Sequence, residues 1–278
     1  MRVARPDYTG GPFGTPREST CYNPSFMRTI LVTNDDGYFS PGIAALAAAL
    51  APLGEVIIVA PQTEASAVGH ALTLRRPLRC ELVAPNTYAV DGTPTDCVNI
   101  AIDEVLAHKP ALIVSGINTG LNVGDDVTYS GTVAGALEGA LLGYQAMAVS
   151  MQVTRGGELD FGPTATLAAT IAAALLERPL RARTFLNINV PMAAMKGVRV
   201  TVQAKRNHIT KVDQRLDPRQ RPYFWIEEAQ DDWEPDARSD RQAIADGYAS
   251  VTPLQPDLTD FAALDLVEEL TRGVGAVR

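Results

Sequence analysis

Two adjacent carboxylates, Asp35 and Asp36, stand at the end of the apolar run Ile30-Leu31-Val32-Thr33, separated from it by Asn34 and followed at once by Gly37. The run reads as a buried strand, so its end puts both acids at the carboxyl edge of a sheet, where open α/β sheets bind ligands. In a continuing strand the two side chains would face opposite ways, but a turn at Gly37 can bring both onto one cation. The chemistry on offer is a metal site. The competing reading is an Asx turn or a cap before the next helix.

Three further segments follow apolar runs and carry polar groups. Ser115-Gly116-Ile117-Asn118-Thr119-Gly120-Leu121-Asn122 combines glycines, which let the backbone approach a ligand, with the amide oxygens of Asn118 and Asn122; as an isolated feature it is also an ordinary glycine-rich turn. Tyr129-Ser130-Gly131-Thr132-Val133-Ala134-Gly135 opens an alanine-rich helix, and a helix N-terminus favours phosphate, although Ser130 or Thr132 alone is equally an N-cap. Glu138, further along, reads as a packing or interface charge. In Glu64-Ala65-Ser66-Ala67-Val68-Gly69-His70 no nucleophile elbow surrounds Ser66, so its hydroxyl suits a metal or phosphate better than covalent catalysis. His70 could donate to a phosphate or a leaving group, or make a structural hydrogen bond. Tyr129 could stack on a base or pack in a loop. Oxygen-rich candidates without thiolate pairs or an HExxH pattern favour Mg²⁺ or Mn²⁺ over zinc.

The elements that must position these groups follow from periodicity. Strands are expected over 30–33, 55–60, 111–115, 146–150 and 185–190, with helices over 43–53, 95–107, 133–142 and 164–176. That alternation predicts an α/β fold, a Rossmann-like, mainly parallel sheet with helices on both faces. Short runs over 72–74, 79–83 and 88–90, broken by Pro77, Pro85 and Asp91-Gly92, predict an antiparallel insertion. Beyond Pro191 the alternation is expected to end, after a strand-like 198–203, in an extended or hairpin arm at about 200–255, with an acidic stretch over 227–240. Tyr223-Phe224-Trp225 calls for burial, against another subunit or its own domain. Residues 1–26 read as a disordered extension, or as sequence ahead of a start at Met27. The domain is placed at 27–260, with a C-terminal helix and tail over 261–278.

Composition narrows the classes. A net charge of −8 and a pI near 5.0 give no basic footprint for duplex nucleic acid or an anionic membrane. An anionic substrate would need a local attractor, which a bound cation supplies. Cys21, Cys80 and Cys97 are scattered and odd in number, arguing against a disulfide framework and for a reducing cytoplasm. The N-terminus holds no seven-residue apolar h-region, and no stretch reaches the roughly 18 apolar residues of a membrane span.

Taken in order, Thr33-Asn34-Asp35-Asp36-Gly37, Ser66-Ala67-Val68-Gly69-His70, Gly92-Thr93-Pro94-Thr95-Asp96-Cys97-Val98, Ser115-Gly116-Ile117-Asn118-Thr119-Gly120 and Tyr129-Ser130-Gly131-Thr132-Val133-Ala134-Gly135-Ala136 closely resemble the survival protein SurE family of metal-dependent nucleotidases. The resemblance runs from about residue 28 to 259 and includes Asp217-Pro218-Arg219, Tyr223-Phe224-Trp225-Ile226 and the segment from Asp246 to Leu254. It implies hydrolysis of nucleoside 5′- and 3′-monophosphates, with polyphosphate as a further candidate substrate. It also implies one divalent ion per subunit on Asp35, Asp36, Ser66 and Asn118, phosphate-side residues Asn122, Ser130, Gly131 and Thr132, and a homodimer or homotetramer with exchanged C-terminal arms. Leu121 stands where the family commonly has proline, and the prefix before Met27 lies outside the family pattern.

The expected reaction is metal-assisted attack of water on a phosphomonoester, with Asp35, Asn122 and Ser130 at the reacting groups and Asp35 the first candidate proton acceptor. Two rivals are weighed beside it. An aspartyl-phosphate route of the haloacid-dehalogenase kind uses a DxD pattern, whereas these aspartates are adjacent. A nucleotide sensor would need only the phosphate cradle.

Overall fold

The structure is a computed structural model, and it describes residues 28–153, 157, 159–192, 194–205, 210–228, 233–272 and 274. The readings placed on residues 1–26, Met27 and the last few residues of the tail lie outside these. In chain order the elements are β1 (Thr29–Thr33), α1 (Pro41–Leu50), β2 (Glu55–Pro61), β3 (Cys80–Ala84), β4 (Thr87–Val90), α2 (Pro94–Ile100), β5 (Leu112–Thr119), α3 (Gly131–Leu141), β6 (Ala146–Met151), α4 (Gly162–Glu177), β7 (Phe185–Val190), β8 (Val198–Val200), β9 (Thr210–Leu216), β10 (Pro222–Glu228), α5 (Asp240–Ala245), β11 (Ala249–Leu254) and α6 (Leu264–Thr271).

Nine of the strands form one sheet in the order β3-β4-β2-β1-β5-β6-β7-β11-β8, and the run from β4 to β7 is parallel throughout. Parallel strands are buried on both faces, so successive residues feed two cores. Ile30 and Val32 pack with Val114, Met147 and Ile43 of α1 on the face that α4 also covers. Leu31, between them, packs with Ile113, Val98 of α2 and Val133 of α3 on the other. Each such fully buried aliphatic contributes about 1.5–3 kcal/mol. The two-faced burial of β1 is what holds the aspartates just beyond it at a fixed place. None of the described helices is long and apolar enough to cross a membrane.

The structure corrects the sequence in four places. The expected strand 111–115 runs on to Thr119, with a register shift against β6 between Gly116 and Asn118, so Asn118 sits on a strand end rather than in a free loop. The helix expected over 95–107 begins at Pro94, is α-helical only to Ile100 and widens into a π-type turn over Ala101–Val105. Within the expected antiparallel insertion, β3 pairs antiparallel with β4, but β4 itself joins β2 in parallel, and residues 72–74 form no strand. Finally, the sheet does not end at β7.

β11 inserts antiparallel beside β7 and carries β8 parallel on its outer side. On one face Ser250 and Thr252 lie buried opposite Asn189 and Asn187, and on the other only Ala249 and Val251 reach the core, so the strand carries a weak apolar signature. The arm expected over 200–255 is therefore confined to the β9–β10 hairpin and its neck. The neck is closed by Val202 N to Arg238 O at 3.0 Å and Asp240 N to Val202 O at 2.9 Å. On the hairpin, Phe224, Trp225 and Ile226 stand 58, 56 and 78% exposed in the single chain.

α3 lies so close to β1 and β5 that a Cβ on Gly135 would sit 2.9 Å from both Ser115 Oγ and Thr33 Cγ2. Gly135→Ala is therefore expected to destabilise the fold by about 1–3 kcal/mol, read as a lowered urea midpoint with an unchanged slope.

Candidate active site at the carboxyl ends of β1 and β5

Asn34 and Ser40 form the turn and cap after β1 without either aspartate. Asn34 Nδ2 donates to Gly37 O at 3.0 Å and to Ser40 Oγ at 2.8 Å, while its Oδ1 accepts from Gly37 N at 3.2 Å. Ser40 in turn caps α1 by accepting from Ile43 N at 3.4 Å. The Asx-type turn and the cap both exist, but Asn34 and Ser40 make them, with Gly37 at φ +97°. Neither aspartate is needed for the turn.

Asp35, only 5% exposed, faces the start of α3. Thr132 Oγ1 donates to Asp35 Oδ1, and a Cβ on Gly131 would fall 2.9 Å from Asp35 Oδ2, so only glycine lets the helix come this near. Ser130 caps the helix by accepting from Val133 N at 3.0 Å. Burial raises the Asp35 carboxyl above its usual range against the opposing hydrogen bonds from Thr132. Asp36 is pushed up to about 6, first by burial, then by the charges of Asp35 and Glu64, against a hydrogen bond from the Thr119 backbone. Asp36 Oδ2 is buried and has no hydrogen-bond partner.

The loop over 62–70 is brought to this corner by Ala65 N, which donates to Asp35 O at 2.8 Å. Ser66 Oγ donates to Glu64 Oε1 at 2.6 Å, leaving the oxygen lone pairs available. Asn118, at the end of β5, donates from Nδ2 to Gly120 O at 2.8 Å, a bond that uses the nitrogen and leaves the oxygen for a cation. Its neighbour Thr119 is the residue that bonds Asp36. These residues fit a hard divalent cation. An orphaned, buried carboxylate oxygen beside a second carboxylate raised by burial is a concentration of negative charge that a cation would relieve, and the donors at hand are all oxygen. Among the described residues no group of three or more His, Cys, Asp or Glu side chains could hold a metal, so a cation here would rest on the carboxylate pair and neutral oxygens.

Asn122 lies deeper than its sequence context implies. Its N donates to Asn189 Oδ1 at 2.8 Å, its O accepts from Asn187 Nδ2 at 2.8 Å and Asn189 Nδ2 at 3.0 Å, and its Nδ2 donates to Ser150 Oγ at 2.8 Å. Its amide nitrogen is thus committed to β6, and the residue anchors the Gly/Asn loop to the sheet. Gly124, just beyond, donates to Asp240 Oδ2 at 3.0 Å and accepts from Gln203 Nε2 at 3.0 Å, tying the same loop to the neck of the arm.

Glu64 was visible in the sequence only as a member of the loop. Its proximity to both aspartates arises from the Ala65 bond, which no local pattern reveals. Glu138 is a packing charge in the sense expected, 6% exposed and bonded to His70 Nε2 at 2.6 Å and Asn99 Nδ2 at 2.7 Å. His108 lies exposed beyond the α2 turn, and His208 falls outside the described residues.

This geometry has counterparts in known proteins. The family model described as Survival protein SurE matches residues 30–210. The 5′-nucleotidase SurE of Pelobacter propionicus is 49% identical over 241 residues, covering 86% of this chain and 97% of that relative. Its counterpart from Syntrophotalea carbinolica is 46% identical over 236 residues, covering 85% and 94%. The crystal structure of the SurE protein from Aquifex aeolicus matches at TM-score 0.78 and 41% identity, covering 87% of this chain and 99% of that one. Matched by the family model over most of its length and by relatives at 46 and 49% identity over more than four fifths of it, the chain belongs to the SurE survival-protein family.

Proposed function

We propose that this protein is a 5′-nucleotidase, a phosphomonoesterase that hydrolyses nucleoside 5′-monophosphates to nucleoside and phosphate, and also accepts 3′-monophosphates and short polyphosphate. The observation that carries the reading is the corner where Asp35 meets the N-terminus of α3. A carboxylate pair suited to a cation lies directly beside a helix start suited to phosphate. The SurE relatives named 5′-nucleotidase support the same activity.

One Mg²⁺ or Mn²⁺ per subunit would be held by Asp35, Asp36, Ser66 and Asn118. When bound, such an ion polarises phosphoryl oxygens and lowers the pKa of a coordinated water. The chain's own residues supply the rest. The backbone N–H groups at Gly131 and Thr132, with the Ser130 hydroxyl, receive the phosphate oxygens and stabilise charge that grows during transfer. Thr132 keeps Asp35 oriented toward the helix start, and Asp35 accepts the proton of the attacking water. Asn122 sets the height of the Gly/Asn loop against the phosphate through its four bonds to β6 and β7. The exposed aromatic strip of β10 is matched to a second copy of the chain, in a dimer or tetramer with exchanged arms. Three scattered cysteines support a reducing, cytoplasmic setting.

A phosphate-release panel over 5′- and 3′-mononucleotides and short polyphosphate, with and without EDTA, tests the reading. Release from 5′-AMP is expected with Mg²⁺ or Mn²⁺ and is abolished by chelation; activity that survives thorough chelation would sink the metal assignment. Tight AMP binding with no release under any cation would make the protein a sensor, and a trapped aspartyl-phosphate would establish the covalent route. Asp35→Asn is expected to lower kcat by about 10²–10⁴-fold, and full metal-dependent turnover in that variant would remove Asp35 from the proton-acceptor role. Thr132→Val keeps the side-chain shape and removes the donor to Asp35. A fall in kcat of about 10-fold or more is expected, measured at saturating Mn²⁺.

A further inference from the structure

The loop that carries Ser66 is fixed at its far end by a pair that touches neither aspartate. Glu138 lies well inside α3, buried, with Oε2 on His70 Nε2 at 2.6 Å and Oε1 accepting from Asn99 Nδ2 at 2.7 Å. Burial alone would raise its carboxyl, but the hydrogen bonds from His70 and Asn99 outweigh burial and hold it below the usual range, so it stays anionic. Asn99 belongs to α2 and Glu138 to α3, two helices packed on the same sheet face. The anchor is therefore as rigid as the core.

On the loop side, Gly69 N donates to Tyr129 O at 3.0 Å, directly before the phosphate-facing Ser130. Thr93 Oγ1 donates to Ala71 O at 2.7 Å, and Thr73 donates to Asp96 from N at 2.9 Å and from Oγ1 at 2.7 Å. Ala65, at the near end, is held on Asp35 at 2.8 Å. Among the described residues the Ser66 side chain bonds within the loop, to Glu64. Its place relative to the aspartates is thus inherited from the two pinned ends, Ala65 on one side and Gly69-His70 on the other. His70 is the point at which a loop side chain meets a buried charge on the phosphate-bearing helix.

We propose that His70 and Glu138 are positioning residues: their contact fixes the span from Ala65 to His70, holds Ser66 beside Asp35 and Asp36, and so sets affinity for the divalent cation rather than the rate of the chemical step. The inference rests on the metal-dependent reading above. Neither residue touches substrate or the reacting atoms. Partners that orient metal ligands from outside the coordination sphere commonly govern affinity in this way.

The test is calorimetric titration of Mn²⁺ into the full chain, for wild type, His70→Ala, His70→Gln and Glu138→Gln, with urea midpoints and with kcat and KM at saturating Mn²⁺. His70→Ala is expected to weaken Mn²⁺ binding about 10-fold or more while kcat at saturating Mn²⁺ stays within about 3-fold. His70→Gln, which keeps a side-chain N–H donor for Glu138, restores binding to within about 3-fold of wild type. Wild-type affinity in His70→Ala, or a His70→Gln as weak as His70→Ala, overturns the proposal. So does a large fall in kcat with unchanged affinity, which would instead put His70 at the reacting atoms. Should Glu138→Gln fail to fold, the two His70 variants decide the matter, since His70 is partly exposed. A wild type that binds no Mn²⁺ overturns the metal-dependent reading itself, a result distinct from any of these.

Discussion

A carboxylate pressed against a helix start is the constraint around which this molecule is arranged. Asp35 is buried, raised by that burial and bonded by Thr132, and the helix can approach it only because residue 131 is glycine. Buried charge is costly unless partnered, and the hydrogen bonds from Thr132 offset only part of that cost. The remainder is left for a ligand to satisfy. Asp36, with one oxygen unpartnered, extends the same imbalance by a residue. What looks like poor accounting in an isolated fold is the imbalance that, under the proposed function, a cation next to a phosphate would relieve.

The two-faced core supplies the stiffness this arrangement needs. β1 is buried along its full length, with α1 and α4 on one side and α2 and α3 on the other. Asn34 and Ser40 then turn the chain away without calling on either aspartate. The aspartates can therefore remain electrostatically strained while Asn34, Ser40 and Ala65 hold the backbone on either side of them. Glycine at 131 and 135 brings α3 close at two successive turns, so the helix start is held as firmly as the strand end.

The apolar alternation made β1, β2, β5, β6 and β7 readable from sequence, because parallel strands buried on both faces leave continuous runs of Val, Ile, Leu and Ala. β11 was hidden for the complementary reason: one of its buried faces is Ser250 and Thr252 against Asn189 and Asn187, leaving only Ala249 and Val251 as apolar core positions. The adjacent aspartates were legible as a candidate site because two acids at the end of an apolar run have few structural uses. The role of Glu64 and the anchoring of Asn122 were not legible, since each depends on partners brought near only by the fold, Ala65 on Asp35 and the asparagines of β7. Local spacing reports on residues within one element. It is silent about hydrogen bonds that close across elements 28 to 67 residues apart.

The closed neck of the β9–β10 hairpin has a consequence for how the chain tolerates change. Because Val202 is bonded to Arg238 and Asp240 across its base, the excursion leaves the body and re-enters it through one fastened doorway. Insertions or deletions at the tip of the hairpin, away from Ala204 and Trp233, which pack against Gly124, are expected to change its length without shifting β11. The hairpin is thus separable in its length from the sheet that carries β11. Changes at the doorway itself are another matter, because Asp240 and Gln203 also grip Gly124, and a loosened hinge there would be felt at the Gly/Asn loop.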